Sequence, residues 1–391
     1  MKRIILAIAG VISGATIVWA GVFYWNNLRG VWPAIKEPRQ KIEDSFTAAP
    51  ENGPLALPVG FSISVFAKNL SGARVLLFDN KGNLWVSQPA QGAVSLLEIE
   101  NGRVIKQSAV FSGLNNPHGL AFNPDDASAL YIAEENKISK TAVYGEEKNL
   151  KKIIDLPAGG GHFTRTIGFG PDKRLYVSIG SSCNVCDEKD RRRAKIFSMN
   201  KDGRDFKEFA QGLRNSVFFT WHPETKKMWA TEMGRDLIGD DIPPDEINII
   251  EAGKNYGWPD CYGKNISDPF SKNIPANLCA TRAPSYIDIQ AHSAPLGLAF
   301  IPQQGWPEDY QNNLLVAYHG SWNRSIPTGY KIVRYRLDEK GNMLGAEDFI
   351  SGWLKNNEVS GRPVDIIIQP DGAMYISDDK AGVIYRVTYK K

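Results

Sequence analysis

The sequence predicts an all-β fold: a six-bladed β-propeller with an N-terminal transmembrane helix. Three observations predict the propeller. One pattern recurs six times, its strand-length runs are bounded by turn signals, and long helical periodicity is absent from the body of the chain. The copies are FDNKGNLWVSQ (78–88), FNPDDASALYIAEE (122–135), FGPDKRLYVSIG (169–180), WHPETKKMWATEMG (221–234), FIPQQGWPEDYQNNLLVAYHG (300–320) and IQPDGAMYISDD (368–379). Each is an aromatic or apolar start, a polar turn and a short strand. Trp85, Tyr131, Tyr176, Trp229, Leu315 and Tyr375 hold one position of the unit, at intervals of 46, 45, 53, 86 and 60 residues. Four-stranded blades repeat at about 40–50 residues, so the longer intervals carry insertions. Segments 255–290 and 340–362 are the expected substrate-contacting insertions. A β-sandwich would not explain the aromatic–turn–strand repeat.

Along the chain, Ile4 to Trp25 run without a charge behind Lys2 and Arg3. A spanning helix needs about 20 apolar residues, whereas a signal-peptide core is about 7–15. We therefore expect residues 1–25 to be a single-pass anchor, with a cleaved signal peptide as the alternative. The two basic residues would stay cytoplasmic and place the body on the periplasmic side of the cytoplasmic membrane. Residues 26–57 mix charge, Pro and small residues without a period, and read as a linker. The propeller would occupy 58–391. Its turns are chemically explicit: Asn80-Lys81-Gly82-Asn83 and Pro370-Asp371-Gly372 combine a residue that tolerates positive φ with side chains that bond back to the backbone. LWVS, LYIA, LYVS, MWAT and MYIS are β-branched or aromatic runs of strand length. The closing GVIYRVTYK would pair with FSISVFA to seal the ring.

Composition limits the function. The chain has 391 residues, 42% hydrophobic and 23% charged, enough apolar material to exclude disorder. With 46 Lys+Arg against 43 Asp+Glu the net charge is +3, which argues against a nucleic-acid surface. The four cysteines, Cys183, Cys186, Cys261 and Cys279, allow three pairings. Proximity favours 183–186 and 261–279, as structural disulfides of an exported protein. Asp187 follows CNVC where haem attachment would need His.

Candidate site residues lie in loops flanking the repeat strands. His162 follows three glycines in GGGHFTRT; imidazole titrates near neutrality and serves as a general base. Arg214 and Asn215 stand in GLRN, and His319, Asn323 and Arg324 in YHGSWNRS. An arginine fork suits carboxylates, and two arginines from different blades would converge on an anionic ligand. His118 and His292 stand at equivalent starts of two blades, and His222 sits in a repeat turn as a structural residue. The acidic run 232–248, with Asp236, Asp240, Asp241, Asp245 and Glu246, offers oxygens for a hard cation.

Taken together, HFTRTIGFGPDKRLYVSIG, GLRN, EMGRD…DEINIIEAGKNYGWP, APLGLAF, YHGSWNRS and GRPVDIIIQPDGAMYISDDKAGVIYRV resemble the pyrroloquinoline quinone (PQQ) dependent sugar dehydrogenases, nearest the L-sorbosone dehydrogenase-like and soluble aldose sugar dehydrogenase-like branches. The resemblance covers about residues 58–391. It implies PQQ at the channel mouth and His162 as the base that takes the hydroxyl proton while hydride moves to the quinone C5. It implies Arg214, Asn215, Asn323, Arg324 and His292 around PQQ. It also implies a calcium ion on backbone carbonyls at Gly234 and Arg235, polarising the quinone. A sugar or polyol would be the substrate, and a membrane quinone or a cytochrome the electron acceptor. The chain departs from the family at three points. Ser181 and Gly161 stand where relatives carry carboxylates that orient the histidine, with Asp187 the expected replacement. Bulky Phe218 and Phe219 are expected to narrow the cofactor floor. Arg235 stands where Pro is common. Two other classes fit the sequence: a metal-dependent lactonase-type hydrolase built on the acidic run, and a non-catalytic ligand-binding propeller.

Overall fold

The computed structural model describes residues 10, 12–22, 39–40, 55–144, 148–272 and 274–390. Its body is six four-stranded antiparallel sheets arranged as the blades of a propeller. Blades 1 to 5 run in chain order, starting at Leu76–Phe78, Gly119–Asn123, Ile167–Phe169, Phe219–Trp221 and Pro295–Phe300. Blade 6 is assembled from both ends of the body. Phe61–Ala67 pairs antiparallel with Val383–Tyr389, outside Met374–Asp378 and Pro363–Ile368. This is the closure expected from the two terminal strand sequences.

The repeat aromatics explain why the blades form. Each sits on the second strand of its blade, and all six positions are buried. The preceding turn binds the aromatic directly. Asp79 Oδ1 accepts from the amides of Lys81 and Asn83, and its Oδ2 accepts from the Trp85 indole at 3.3 Å. In blade 3 Asp172 takes the Arg174 amide and the Tyr176 hydroxyl at 3.0 Å. In blade 4 His222 does this work: its Nδ1 accepts from the amides of Glu224 and Thr225. One carboxylate or imidazole thus closes the turn, and in blades 1 and 3 the carboxylate also satisfies the polar tip of a buried ring.

The two long intervals are insertions, as expected. The one in blade 4 holds the short hairpin Cys261–Tyr262/Ile266–Ser267 and the Cys261–Cys279 disulfide. The second disulfide is Cys183–Cys186. The other insertion carries Leu354–Lys355 and Glu358–Val359, which pairs in parallel with Arg39–Gln40. Residues 12–22 are helical, but no helix among the described residues is long and apolar enough to cross a membrane. The rest of the expected anchor, and most of the expected linker, lie outside the described residues.

Candidate active site at the propeller mouth

The blade topology sends two kinds of segment to one mouth: the loops that leave the second strands and the connections that lead into the first strands. His162 and Arg214 lie on connections into blades 3 and 4, and His292 and Arg362 on those into blades 5 and 6. Ser181 to Asn184, Gly234 to Asp236, and His319 to Asn323 follow second strands. These segments line a cavity of about 450 Å³ whose walls include His162, Cys183, Asn184, Arg214, Asn215, Gly234, Asp236, His292, His319, Trp322, Asn323 and Arg362. That is within the usual range for a small-molecule site.

His162 is held in one tautomer. Its Nδ1 lies 2.9 Å from both the Ser181 carbonyl and the Ser181 hydroxyl. A carbonyl only accepts, so Nδ1 carries the proton, and no described residue bonds the Nε2 lone pair. The Ser181 hydroxyl in turn donates to the Cys183 carbonyl at 2.6 Å. Ser181 is therefore the orienting partner, whereas Asp187 is exposed. Burial, with the Arg214 charge next in weight, pushes the His162 pKa down to about 3. The ring is a neutral acceptor across the physiological range. The glycines before it serve the loop: Gly160 has φ +94°, a Cβ there would meet the Ser182 backbone at 2.7 Å, and the Gly161 amide bonds the Ser182 carbonyl. At Gly180 a Cβ would meet Asn215 Oδ1 at 2.7 Å and the His162 Cβ at 2.8 Å. Only glycine lets those two site residues approach.

Arg214 is buried against the loop at Asn184. Its Nε donates to the Asn184 carbonyl at 3.0 Å, and its Nη2 to Asn184 Oδ1 at 2.9 Å and Asp236 Oδ2 at 2.8 Å. Asn323 Nδ2 donates to the other Asp236 oxygen at 2.8 Å. Asn215 receives its position from below, where its amide donates to Glu232 at 2.7 Å. His292, at φ +66°, places Nε2 2.7 Å from the Gly239 carbonyl.

The structure separates Arg324 from this group. Its guanidinium donates to the Asp240 carbonyl and pairs with Asp241 at 2.9 Å, and it is not among the residues lining the cavity. The second arginine of the cavity is Arg362. Its Nε donates to Asp379 at 2.8 Å, and the same carboxylate pairs with Arg74 at 2.9 Å and His319 Nε2 at 3.0 Å. His319 thus presents its other nitrogen, which no described residue bonds. Arg362, His319 and Trp322 were absent from the residues assigned to the cofactor by sequence. Arg362 stands inside the GRPVDI segment that carried the resemblance, so the signal was present.

Two further expectations need correction. Phe218 and Phe219 do not line the cavity: Phe218 packs edge-on against His118, and Phe219 packs against Trp221 in the adjoining core. Phe219 opens the first strand of blade 4, Phe218 precedes it, and both rings are buried in the core rather than at the mouth. The acidic run also does not converge. Asp236 and Asp241 pair with arginines, Asp240 caps the Ser325 amide, Asp245 takes the Gly234 and Ala294 amides, and Glu246 takes Asn248 and the Gly263 amide. Among the described residues the one metal-like cluster is Cys183, Cys186 and Glu188, whose cysteines are disulfide-bonded. A side-chain metal centre of the lactonase type has no ligand set here. Arg235, finally, buries its side chain against Asp268 at 3.0 Å, so at this position only its backbone could serve a cation.

Residues 55–390 match the TrAA12-like family model. The chain belongs to the TrAA12-like family. Its relatives include an uncharacterized protein of Borreliella burgdorferi, 34% identical over 369 residues, 89% of this chain and 94% of that one. A PQQ-dependent pyranose dehydrogenase of Coprinopsis cinerea is 24% identical over 90% of this chain, which spans 55% of that protein's length. Quinoprotein glucose dehydrogenase B of Acinetobacter calcoaceticus is 24% identical over 52% of the chain. In structure, the calcium form of the Trichoderma reesei family AA12 enzyme superposes with TM-score 0.74 at 21% identity, covering 86% of this chain and 97% of that one. The holo PQQ domain of the Coprinopsis cinerea pyranose dehydrogenase gives 0.72 at 20% identity, covering 87% and 98%. The TrAA12-like chain thus shares their six-bladed fold.

Beneath the cavity of this TrAA12-like propeller, burial pushes the Glu232 carboxyl up to about 8, against opposing bonds from Ser216 and the Asn215 amide. A carboxyl raised in the folded state contributes stability that is complete below its unfolded pKa and is lost as pH rises through the folded value. Unfolding temperature should therefore fall between about pH 5 and pH 8, and Glu232→Gln should make that decline shallower, measured by thermal melts across the range.

Proposed function

We propose that this protein is a PQQ- and calcium-dependent dehydrogenase that oxidises a sugar or polyol and delivers the electrons to a membrane quinone or a cytochrome. One observation carries the reading: a tautomer-locked, neutral His162 opens its Nε2 lone pair to a cavity shared with Arg214 and Arg362. The residues present fit the group. PQQ bears three carboxylates, and the cavity offers two guanidinium groups and the Asn215 and Asn323 side chains. Arg214 keeps one Nη1 hydrogen beyond its bonds to Asn184, Asp236 and Met233. No described residue donates to the carbonyl of Gly234, which lines the cavity and leaves a hard oxygen for calcium beside Asp236, whereas Arg235 does not line it. When bound, PQQ supplies an ortho-quinone that accepts a hydride, and calcium strengthens its electrophilic character.

The chain's own part follows from geometry. His162 Nε2 takes the proton of the substrate hydroxyl as the C–H hydride leaves, and Ser181 holds the ring while it becomes charged. Arg214 and Arg362 would hold PQQ by pairing with its carboxylates. Trp322, 42% exposed at the cavity, offers an apolar face to a sugar ring. The N-terminal segment would tether the body on the periplasmic side of the membrane. The test is reconstitution: metal-stripped protein should bind PQQ tightly with calcium and at least tenfold more weakly in chelator. Equal binding with and without calcium would remove the metal from the reading.

A further inference from the structure

The residue that does most to position Arg214 lies in neither a strand nor a blade-to-blade connection. Asn184 occupies the turn CNVC, whose ends are joined by the Cys183–Cys186 disulfide. Its Oδ1 accepts from Arg214 Nη2 at 2.9 Å and from the Asp236 amide at 2.8 Å. Its Nδ2 donates to the Asp236 carbonyl at 3.0 Å, and its own carbonyl takes Arg214 Nε at 3.0 Å. Reversing the amide would set donor against donor at Arg214 and at the Asp236 amide, so the orientation follows from the partners. The same turn reaches the base: the Cys183 carbonyl fixes the Ser181 hydroxyl that faces His162 Nδ1.

We infer that the disulfide-pinched turn 183–186 is the positioning element that sets Arg214 and His162 relative to each other, with Asn184 as its contact side chain and the Cys183–Cys186 bond as its staple. The inference rests on the PQQ reading above. No strand pairs with this turn, and Val185 at its tip is 38% exposed. Without the staple, the place of Asn184 depends on its own hydrogen bonds, which must then offset the ordering entropy of a free turn. The Cys261–Cys279 bond has no such role, because it closes the hairpin insertion of blade 4 and bonds neither Arg214 nor His162.

The test compares the full chain with Asn184→Ala, with Cys183→Ser/Cys186→Ser, and with all three changes together. PQQ affinity in calcium is read by quenching of tryptophan fluorescence. Asn184→Ala and the serine pair should each weaken binding by about tenfold or more. The combined variant should be no weaker than the worse of the two, because both act through one element. Wild type treated with a mild thiol reductant, alkylated and freed of reagent before PQQ is added, so that no thiol meets the quinone, should bind like the serine pair given the same treatment. Asn184→Asp keeps the Oδ1 acceptor for Arg214 and the Asp236 amide but loses the donor to the Asp236 carbonyl, so its loss should be smaller than that of Asn184→Ala, with unchanged thermal melts in both variants showing that the fold is intact. If the serine pair does not fold, the two Asn184 variants decide. Asn184→Ala binding PQQ as well as a competent wild type, or fully additive losses, would overturn the inference alone. A wild type that binds no PQQ would overturn the functional reading and this inference with it.

Discussion

Replacing His162 by glutamine is expected to lower turnover by about 10²–10⁴-fold while PQQ affinity changes little. The lone pair at Nε2 is the only part of the ring not committed to Ser181. Glutamine keeps the size and loses the basic nitrogen. Because burial and Arg214 push the His162 pKa down to about 3, the imidazole is already neutral at mild acid pH. The rate should therefore show no acid limb near the ordinary histidine value of about 6.5. Ser181→Asp would place a carboxylate at Nδ1, favour the charged ring and move the acid limb upward. Steady-state kinetics across pH on the wild type and both variants check all three statements. If His162→Gln turns over like wild type, the base is elsewhere, and His319, with its uncommitted Nδ1, becomes the first alternative.

The second large effect is on stability. The Asp379 side chain, 7% exposed, is the common partner of Arg74, Arg362 and His319. It joins blade 6 to the strand approach of blade 1 and the loop after blade 5. Breaking a buried pair by removing one partner leaves uncompensated charge and costs about 3–5 kcal/mol. Asp379→Ala strands two guanidinium groups, so its unfolding free energy in urea should fall by about that amount. Burial raises the Asp379 carboxyl, yet the contact with His319 and the charges of Arg74 and Arg362 outweigh it and hold the group far below the usual carboxylate range. A carboxyl depressed in the folded state contributes stability present above its unfolded pKa, lost only as pH falls through the folded value. The difference between wild type and Asp379→Ala should hold at neutral pH and close only in strong acid. A loss below about 1 kcal/mol at neutral pH would show that the brace is not coupled to folding.

The propeller was legible because its decisive contacts are local. Asp79 and Trp85 are six residues apart and bond each other, as do Asp172 and Tyr176, four apart, so in blades 1 and 3 turn and strand announce themselves together. Ring closure was legible because both end strands alternate apolar and polar residues. The site was legible where a residue stands in a loop flanking a repeat strand, as do His162, Arg214, Asn215, His292 and Asn323, all of which line the cavity. What escaped depended on partners remote in sequence. Arg324 and Arg214 look alike in the chain, yet Asp240 and Asp241 capture one of them across the mouth. Arg362 takes its place through Asp379, whose other cation, Arg74, is 305 residues away. Ser181 read as the loss of an orienting carboxylate because a backbone carbonyl leaves no mark in a sequence. Phe218 and Phe219 read as an obstruction because their place in the core is set by packing partners, and that of Phe218, His118, is distant in sequence.

The central claim is that this cavity oxidises a sugar with PQQ. The most direct measurement is a single turnover: calcium- and PQQ-loaded protein, without oxygen or an electron acceptor, mixed with a panel of aldoses, polyols and sorbosone, and followed by the absorbance of the bound cofactor. At least one of them should reduce the bound cofactor in proportion to the protein present, and His162→Gln should slow the change. Tight PQQ binding with no reduction by any of them would contradict that claim and leave a ligand-binding propeller.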